Sequence, residues 1–192
     1  MKGIRNVITK NGKDDRAPDL DDLIVRTGQG DRAAFEELYR RMSAPVFTYA
    51  LSLLRNVSDA QDVLQDVFLS LYDAAPEYEA RGKGRSFIMT IANNRCLMLL
   101  RAGSMRCDAP EEGFFESIGD ASSLTPYENA LLSECLSRLD EDERRIVLLH
   151  ALSGMKHREI ASLLRLPLGS VLSKYNRAIK RLRSVYGDKE ET

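Results

Sequence analysis

Apolar residues return every three or four positions along most of the chain, a spacing that keeps them on one side of an α-helix. Leu20, Leu23 and Ile24 form a short first stripe, with Asp19 as its expected cap and the TGQG stretch as its end. Asp31 is placed to cap a second helix, in which Phe35, Leu38, Tyr39 and Met42 share a face. Pro45 is expected to open a third, where Phe47, Ala50, Leu51 and Leu54 repeat the spacing. Ser58 with Gln61 reads as a capping box for a helix that carries Ala60, Val63, Leu64, Val67, Phe68 and Leu71 on one side. After Pro76 the pattern lapses over EYEARGKGR and resumes in SFIMTIANNRCLMLLR, with Ile88, Ile91, Ala92 and Leu99 as its apolar set.

The segment GSMRCDAPEEGFFESIGDASS has no sustained period and reads as a linker. Thr125, Pro126 and Glu128 then make a strong helix start ahead of Leu132, Cys135, Leu136 and Leu139, and Asp140 with Glu143 begins the next helix. Ile160, Leu163 and Leu164 form a further stripe, Arg165-Leu166-Pro167 breaks it, and Val171, Tyr175, Ala178 and Leu182 restart it. The spacing therefore predicts an all-α protein of two small helical domains, 19–102 and 125–186, joined by a flexible linker at 103–124. The second is expected to be a four-helix domain containing a helix-turn-helix, and polar tails occupy 1–18 and 187–192.

Charge sharpens this division. The chain carries 28 Lys and Arg against 29 Asp and Glu, but the near-zero balance conceals an acidic stretch from Ser104 to Asp142 and a basic one from Glu143 to Arg183. In the last helix the register sets Ser170, Ser173, Lys174, Arg177 and Arg181 opposite the apolar stripe. Cations there suit the DNA backbone, whose neutralisation releases condensed counterions, and side chains near the helix start would reach base edges in the major groove. A solvated basic face is the bland reading of the same helix.

The helix after Ser58 shows Asp62, Gln65, Asp66, Leu69 and Asp73 on its polar side, and a leucine among acids suggests docking rather than acid catalysis. In the loop before Phe87, Arg81, Lys83 and Arg85 alternate with Gly82 and Gly84, an arrangement that attracts phosphate but does not fit the P-loop pattern. Phe87, Asn93 and Asn94 fit either an unstacked base held by an aromatic and two amides, or a core phenylalanine with two surface amides. The two histidines, His150 and His157, and the three widely spaced cysteines offer neither a nucleophile beside a base nor a metal-ligand spacing. A non-enzymatic protein without a cofactor is expected. The absence of a membrane-length apolar run and of a signal-peptide core predicts a reduced, cytoplasmic location with no membrane insertion.

In order and spacing, AFEELYRRMSAPVFTYALSLL, SDAQDVLQDVFLSLY, SFIMTIANNRCLMLLR, LSRLDEDERRIVLL and HREIASLLRLPLGSVLSKYNRAIKRLR resemble bacterial sigma factors of the extracytoplasmic-function (ECF) type, from about Leu20 to Tyr186. The resemblance implies a subunit that directs RNA polymerase core enzyme to promoter DNA and assists its opening. It implies polymerase docking through Asp59, Asp62, Gln65, Asp66 and Leu69, and melting of the downstream element by Arg81, Lys83, Arg85, Phe87, Asn93 and Asn94. It implies reading of the upstream element by Arg158, Ser170, Ser173, Lys174, Arg177, Lys180 and Arg181, an acidic linker that mimics nucleic acid in the polymerase channel, and an anti-sigma partner. Phe87 stands where many relatives have Trp, Arg165 where the turn usually has Gly, and Leu172 where relatives carry Lys; Leu168, Leu172 and Ile179 widen the apolar stripe. The alternatives are a sigma-like mimic that binds an anti-sigma partner, and a stand-alone helix-turn-helix regulator.

Overall fold

The computed structural model describes residues 19–102, 136 and 138–187, with side chains as far as Ser184. All regular structure among them is helical. The expected linker and most of the helix expected to start at Thr125 lie outside the described residues, as do Cys107, Cys135, the N-terminal tail and the C-terminal tail after Gly187.

Helix α1 (Leu20–Gly28) packs Leu23 and Ile24 inward. Asp19 precedes it in an extended conformation, but its side chain makes no capping bond, in contrast to the expectation. Asp31 does cap the next helix, accepting from the Ala34 amide at 3.1 Å while Arg26 holds its other oxygen at 2.7 Å. That next helix, α2 (Arg32–Leu54), is one continuous element with Pro45 inside it, where the proline was expected to open a separate helix. Proline lacks one backbone donor, but Leu38, Met42, Val46 and Tyr49 line a single fully buried face across it, and tertiary burial outweighs the local defect. At about 1.5–3 kcal/mol per fully buried large apolar side chain, four such residues exceed the roughly 3 kcal/mol that a mid-helix proline costs.

Helix α3 (Val57–Ala74) is capped by Asn56, whose side-chain oxygen accepts from the Asp59 amide at 2.9 Å. The Ser58–Gln61 box expected there does not form, because the helix has already begun. A single 3-10 turn, Ala75–Glu77, leads through a loop to α4 (Gly84–Arg101). Leu71, Ile88, Met89 and Cys96 close the core of this front group of helices.

The rear group begins with α5 (Glu141–Ser153), which has the expected capping box: Glu143 N donates to Asp140 at 2.7 Å and Asp140 N to Glu143 at 3.3 Å. Helix α6 (His157–Leu164) ends at Arg165, which adopts the left-handed conformation (φ 55°), and α7 runs Leu168–Gly187. Ile146, Leu149, Ile160, Val171 and Ala178 are fully buried between them, as the restarted stripe predicts. His150 and His157, seven positions apart on consecutive helices, stack at 4.7 Å, and both meet the Tyr175 ring edge-on, which buttresses α7.

Front and rear groups touch. Arg144 is buried, donating to the carbonyls of Leu136 (3.0 Å) and Leu139 (3.1 Å) and, across the boundary, to that of Ser52 in α2 (3.4 Å). The Leu136 carbonyl also accepts from the Leu139 amide at 3.2 Å, so Arg144 ties the start of the rear group together while reaching across to α2.

Candidate nucleic-acid interface

The loop between the 3-10 turn and α4 is shaped by one carboxylate. Asp21, buried in α1, accepts from the amides of Gly82 (2.5 Å), Lys83 (3.4 Å) and Gly84, and from the Tyr78 hydroxyl at 3.1 Å. Burial alone would raise its pKa. The Gly84 and Gly82 amides and Tyr78 outweigh that and hold it below the ordinary carboxylate range. Gly82 sits at φ +68°, and a Cβ on Gly84 would come within 2.7 Å of the Asp21 side chain. The glycines therefore serve an internal acid, and the loop amides expected to meet a phosphate are already taken. Of the loop's cations the side chains of Arg81 and Lys83 are exposed, Arg81 being paired with the exposed Glu79.

The residues beyond the loop divide as well. Arg85 is half-buried and donates to the Leu152 carbonyl of α5 at 3.3 Å. Phe87 is half-buried with its ring 4.9 Å from that of Tyr78. Asn93, expected beside a melted strand, is buried instead: its oxygen accepts from Tyr49 Oη at 2.9 Å and from Arg145 Nη2 at 2.8 Å. In this arrangement the rear group occupies it. Asn94, one residue on, points to solvent.

On α3 the expected docking face is largely open. Asp62, Gln65 and Asp66 are exposed, Asp59 is half-buried in the first turn, and Leu69 is 66% exposed among them. Arg95 of α4 reaches the edge of this face, 3.7 Å from Asp66. Tyr72, 53% exposed, extends it by one turn, and Tyr39 of α2 lies against Phe68 nearby. Neither tyrosine stood out in the sequence, where Tyr39 read as part of an apolar stripe and Tyr72 fell outside both faces of its helix.

The rear helix is rotated from its expected orientation. Lys174 is half-buried and lies 3.0 Å from Asp142 and 3.9 Å from Asp140. Arg181 Nη1 donates to the fully buried carboxylate of Glu143 at 2.6 Å, and Arg177 Nε lies 3.5 Å from its other oxygen. These cations thus neutralise the acidic start of α5, although Arg177 and Arg181 remain half or more exposed. Ser170 is half-buried. Fully outward are Gly169, Ser173, Asn176, Lys180 and Arg183, with Arg177 on one flank and Leu172 on the other. Asn176 and Arg183 did not stand out because the register was centred on the whole stripe Val171, Tyr175, Ala178 and Leu182, which sets both to one side. A helical wheel centred on the most buried pair, Val171 and Ala178, sets Gly169 and Lys180 opposite them, with Ser173 and Asn176 to either side. Arg158 is exposed on α6.

A left-handed turn between two helices, the second with an open polar face, is the geometry of a helix-turn-helix. The sigma-70 region 2 pattern matches residues 38–105 and the sigma-70 region 4 pattern residues 129–182. The ECF RNA polymerase sigma factor RpoE of Cereibacter sphaeroides is 30% identical over 158 residues, 80% of this chain and 86% of its own length. The chain belongs to the ECF RNA polymerase sigma factors. SigK of Mycobacterium ulcerans, another ECF sigma factor, is 24% identical over 180 residues, covering 90% of this sigma factor and 96% of its own chain. Two solved structures share the fold. CnrH in complex with the cytosolic domain of CnrY aligns at a TM-score of 0.63 and 22% identity over 89% of this chain and 99% of its own. RpoE of Bartonella quintana, solved with the anti-sigma factor NepR, aligns at 0.59 and 18% over 80% and 96%. Among the described residues no helix is long and apolar enough to cross a membrane.

Proposed function

We propose that this sigma factor brings core polymerase to promoters by dividing the work between its two helical domains, 19–102 and 125–186, and that it acts in the cytoplasm without a catalytic site of its own. The α3 face of Asp59, Asp62, Gln65, Asp66 and Leu69, extended by Tyr72, docks on the polymerase. Arg81, Lys83, Phe87 and Asn94 hold melted strand of the downstream element. The α7 face reads the upstream duplex: Ser173 and Asn176 approach base edges, while Lys180, Arg183, Arg158 and the free sides of Arg177 and Arg181 meet phosphates. The acidic linker at 103–124 stands in for nucleic acid in the polymerase channel, and an anti-sigma protein holds the factor inactive. The observation that carries this reading is the open polar face of α7 above a left-handed turn, in a chain whose front helices present a separate acidic and apolar face.

For Arg85 and Asn93 to join the melted-strand site, α5 must part from α4, because Arg145 and the Leu152 carbonyl occupy them in the packed arrangement.

The test is Phe87→Ala in holoenzyme. A base stacked on an aromatic gains roughly 1–3 kcal/mol, so open-complex formation, read by permanganate reactivity of unpaired thymines, should fall about tenfold or more. Core binding should be unchanged. Equal losses in opening and in closed-complex affinity would remove Phe87 from the melting site.

A further inference from the structure

Among the described residues of the rear helices, Leu172 is the one large apolar side chain classed as exposed, at 41%. The other exposed apolar residues, Tyr39, Leu69, Tyr72 and Met98, all lie in the front group. Leu172 is not at the frayed end of a helix or beneath a loop. It stands in the first turns of α7, on the flank of the outward face, where Leu168 before it is packed against the core. Asn176 follows one turn later, and residues four apart on a helix are neighbours, with Cβ atoms about 5–6 Å apart. Asn176 is exposed, and its amide has no partner among the described residues, whereas Asn93 and Asn56 spend theirs on Tyr49, Arg145 and the cap of α3. An exposed carboxamide and a partly exposed isobutyl group therefore sit side by side on the face that the proposed function turns toward duplex DNA.

We propose that Leu172 and Asn176 are the specificity-determining pair of this sigma factor, Asn176 selecting an adenine and Leu172 a neighbouring thymine methyl in the upstream element. The inference rests on the reading that α7 enters the major groove. A carboxamide carries a donor and an acceptor side by side, which matches the N6 amino group and N7 of adenine and mismatches guanine, whose major-groove edge offers two acceptors. A leucine side chain can form no hydrogen bond at all. The one feature of a major-groove edge that rewards it is the thymine C5-methyl group, which is shed from water when the two touch. A cation at position 172 would add affinity for any sequence. Leucine adds it only where the methyl is present.

The experiment uses the full chain with core polymerase. The preferred upstream sequence is selected from a randomised duplex, and each thymine in it is then replaced singly by deoxyuridine, which lacks only the methyl. Burial of about one methyl group predicts a fourfold weakening, roughly, at one position, and Leu172→Ala should weaken thymine binding by a similar factor and erase the thymine-over-uracil preference. Asn176→Ala should lose at least about fivefold discrimination for adenine at an adjacent base pair. Equal binding of thymine and uracil duplexes by the wild type, or a preference that survives Leu172→Ala, overturns the assignment while leaving α7 in the groove. Selection that yields no preferred upstream sequence overturns it together with the placement of α7 on DNA.

Discussion

The two surfaces assigned to DNA in this sigma factor are built in opposite ways. At the front, the polar groups that the sequence offers are mostly consumed by the protein: three loop amides by Asp21, Asn93 by Tyr49 and Arg145, Arg85 by a carbonyl of α5. At the rear, the helix keeps an open row of Ser173, Asn176, Lys180 and Arg183, and only its flank is tied down, by Glu143 and Asp142. On the proposed function the front is thus a site that must be uncovered, and the rear one that stands ready. Charge alone does not distinguish them, since both contain alternating cations. The difference lies in which hydrogen bonds are already made.

Three perturbations bear on that contrast, in order of expected size. Asp21→Ala leaves the Gly82 and Gly84 amides without an acceptor and should destabilise the front helices by about 3 kcal/mol, at roughly 1–3 kcal/mol per unsatisfied buried group, measured by urea unfolding. Its pH signature follows from the lowered pKa. The contribution of Asp21 is complete above the unfolded value near 4 (about 3.9 for an unperturbed Asp), and is lost as pH falls through the lower folded value. Asp21→Asn should therefore show a flatter loss of stability than the wild type as pH falls below about 4. If both chains lost stability in parallel on acidification, the loop would not be organised by this acid.

Glu143→Ala removes a reciprocal cap and the buried partner of two arginines that can turn to water. A cost of about 2 kcal/mol is expected, confined to the rear helices in hydrogen exchange. A protection loss that spread equally into α2 and α4 would mean that the two groups unfold as one.

Arg145→Ala deletes one buried bond to Asn93, which keeps Tyr49, so about 1 kcal/mol is expected. Its more telling readout is Cys96, one turn beyond Asn93 on α4. Burial pushes the Cys96 thiol up to about 12 and shields it. If α5 covers α4 as described, the variant should label at Cys96 several times faster, mapped by peptide mass. An unchanged labelling rate would show that Arg145 does not hold the two groups together.

Much of this was legible in the sequence. The apolar stripes gave the helices, the Asp31 cap and the Asp140–Glu143 box, because those depend on residues a few positions apart. The rear turn was legible too, and Arg165 takes the left-handed conformation that the pattern calls for despite its side chain. Pro45 misled because a local rule was overruled by a buried face that continues across it. The functions of Asn93, Gly82 and Gly84 were out of reach for a different reason: their partners, Arg145 and Asp21, lie 52 and more than 60 positions away. The ion pairs of Lys174 and Arg181 with the start of α5 were out of reach for the same reason, since Asp142 and Glu143 lie 32 and 38 positions before them.

The buried Glu143 has one last consequence. Sequence-independent adhesion to a polyanion grows with every cation free to displace a counterion. By keeping an internal anion beneath Arg177 and Arg181, the fold mutes part of that indiscriminate pull, so that the choice between one stretch of duplex and the next is left to the uncharged side chains that stand beside them.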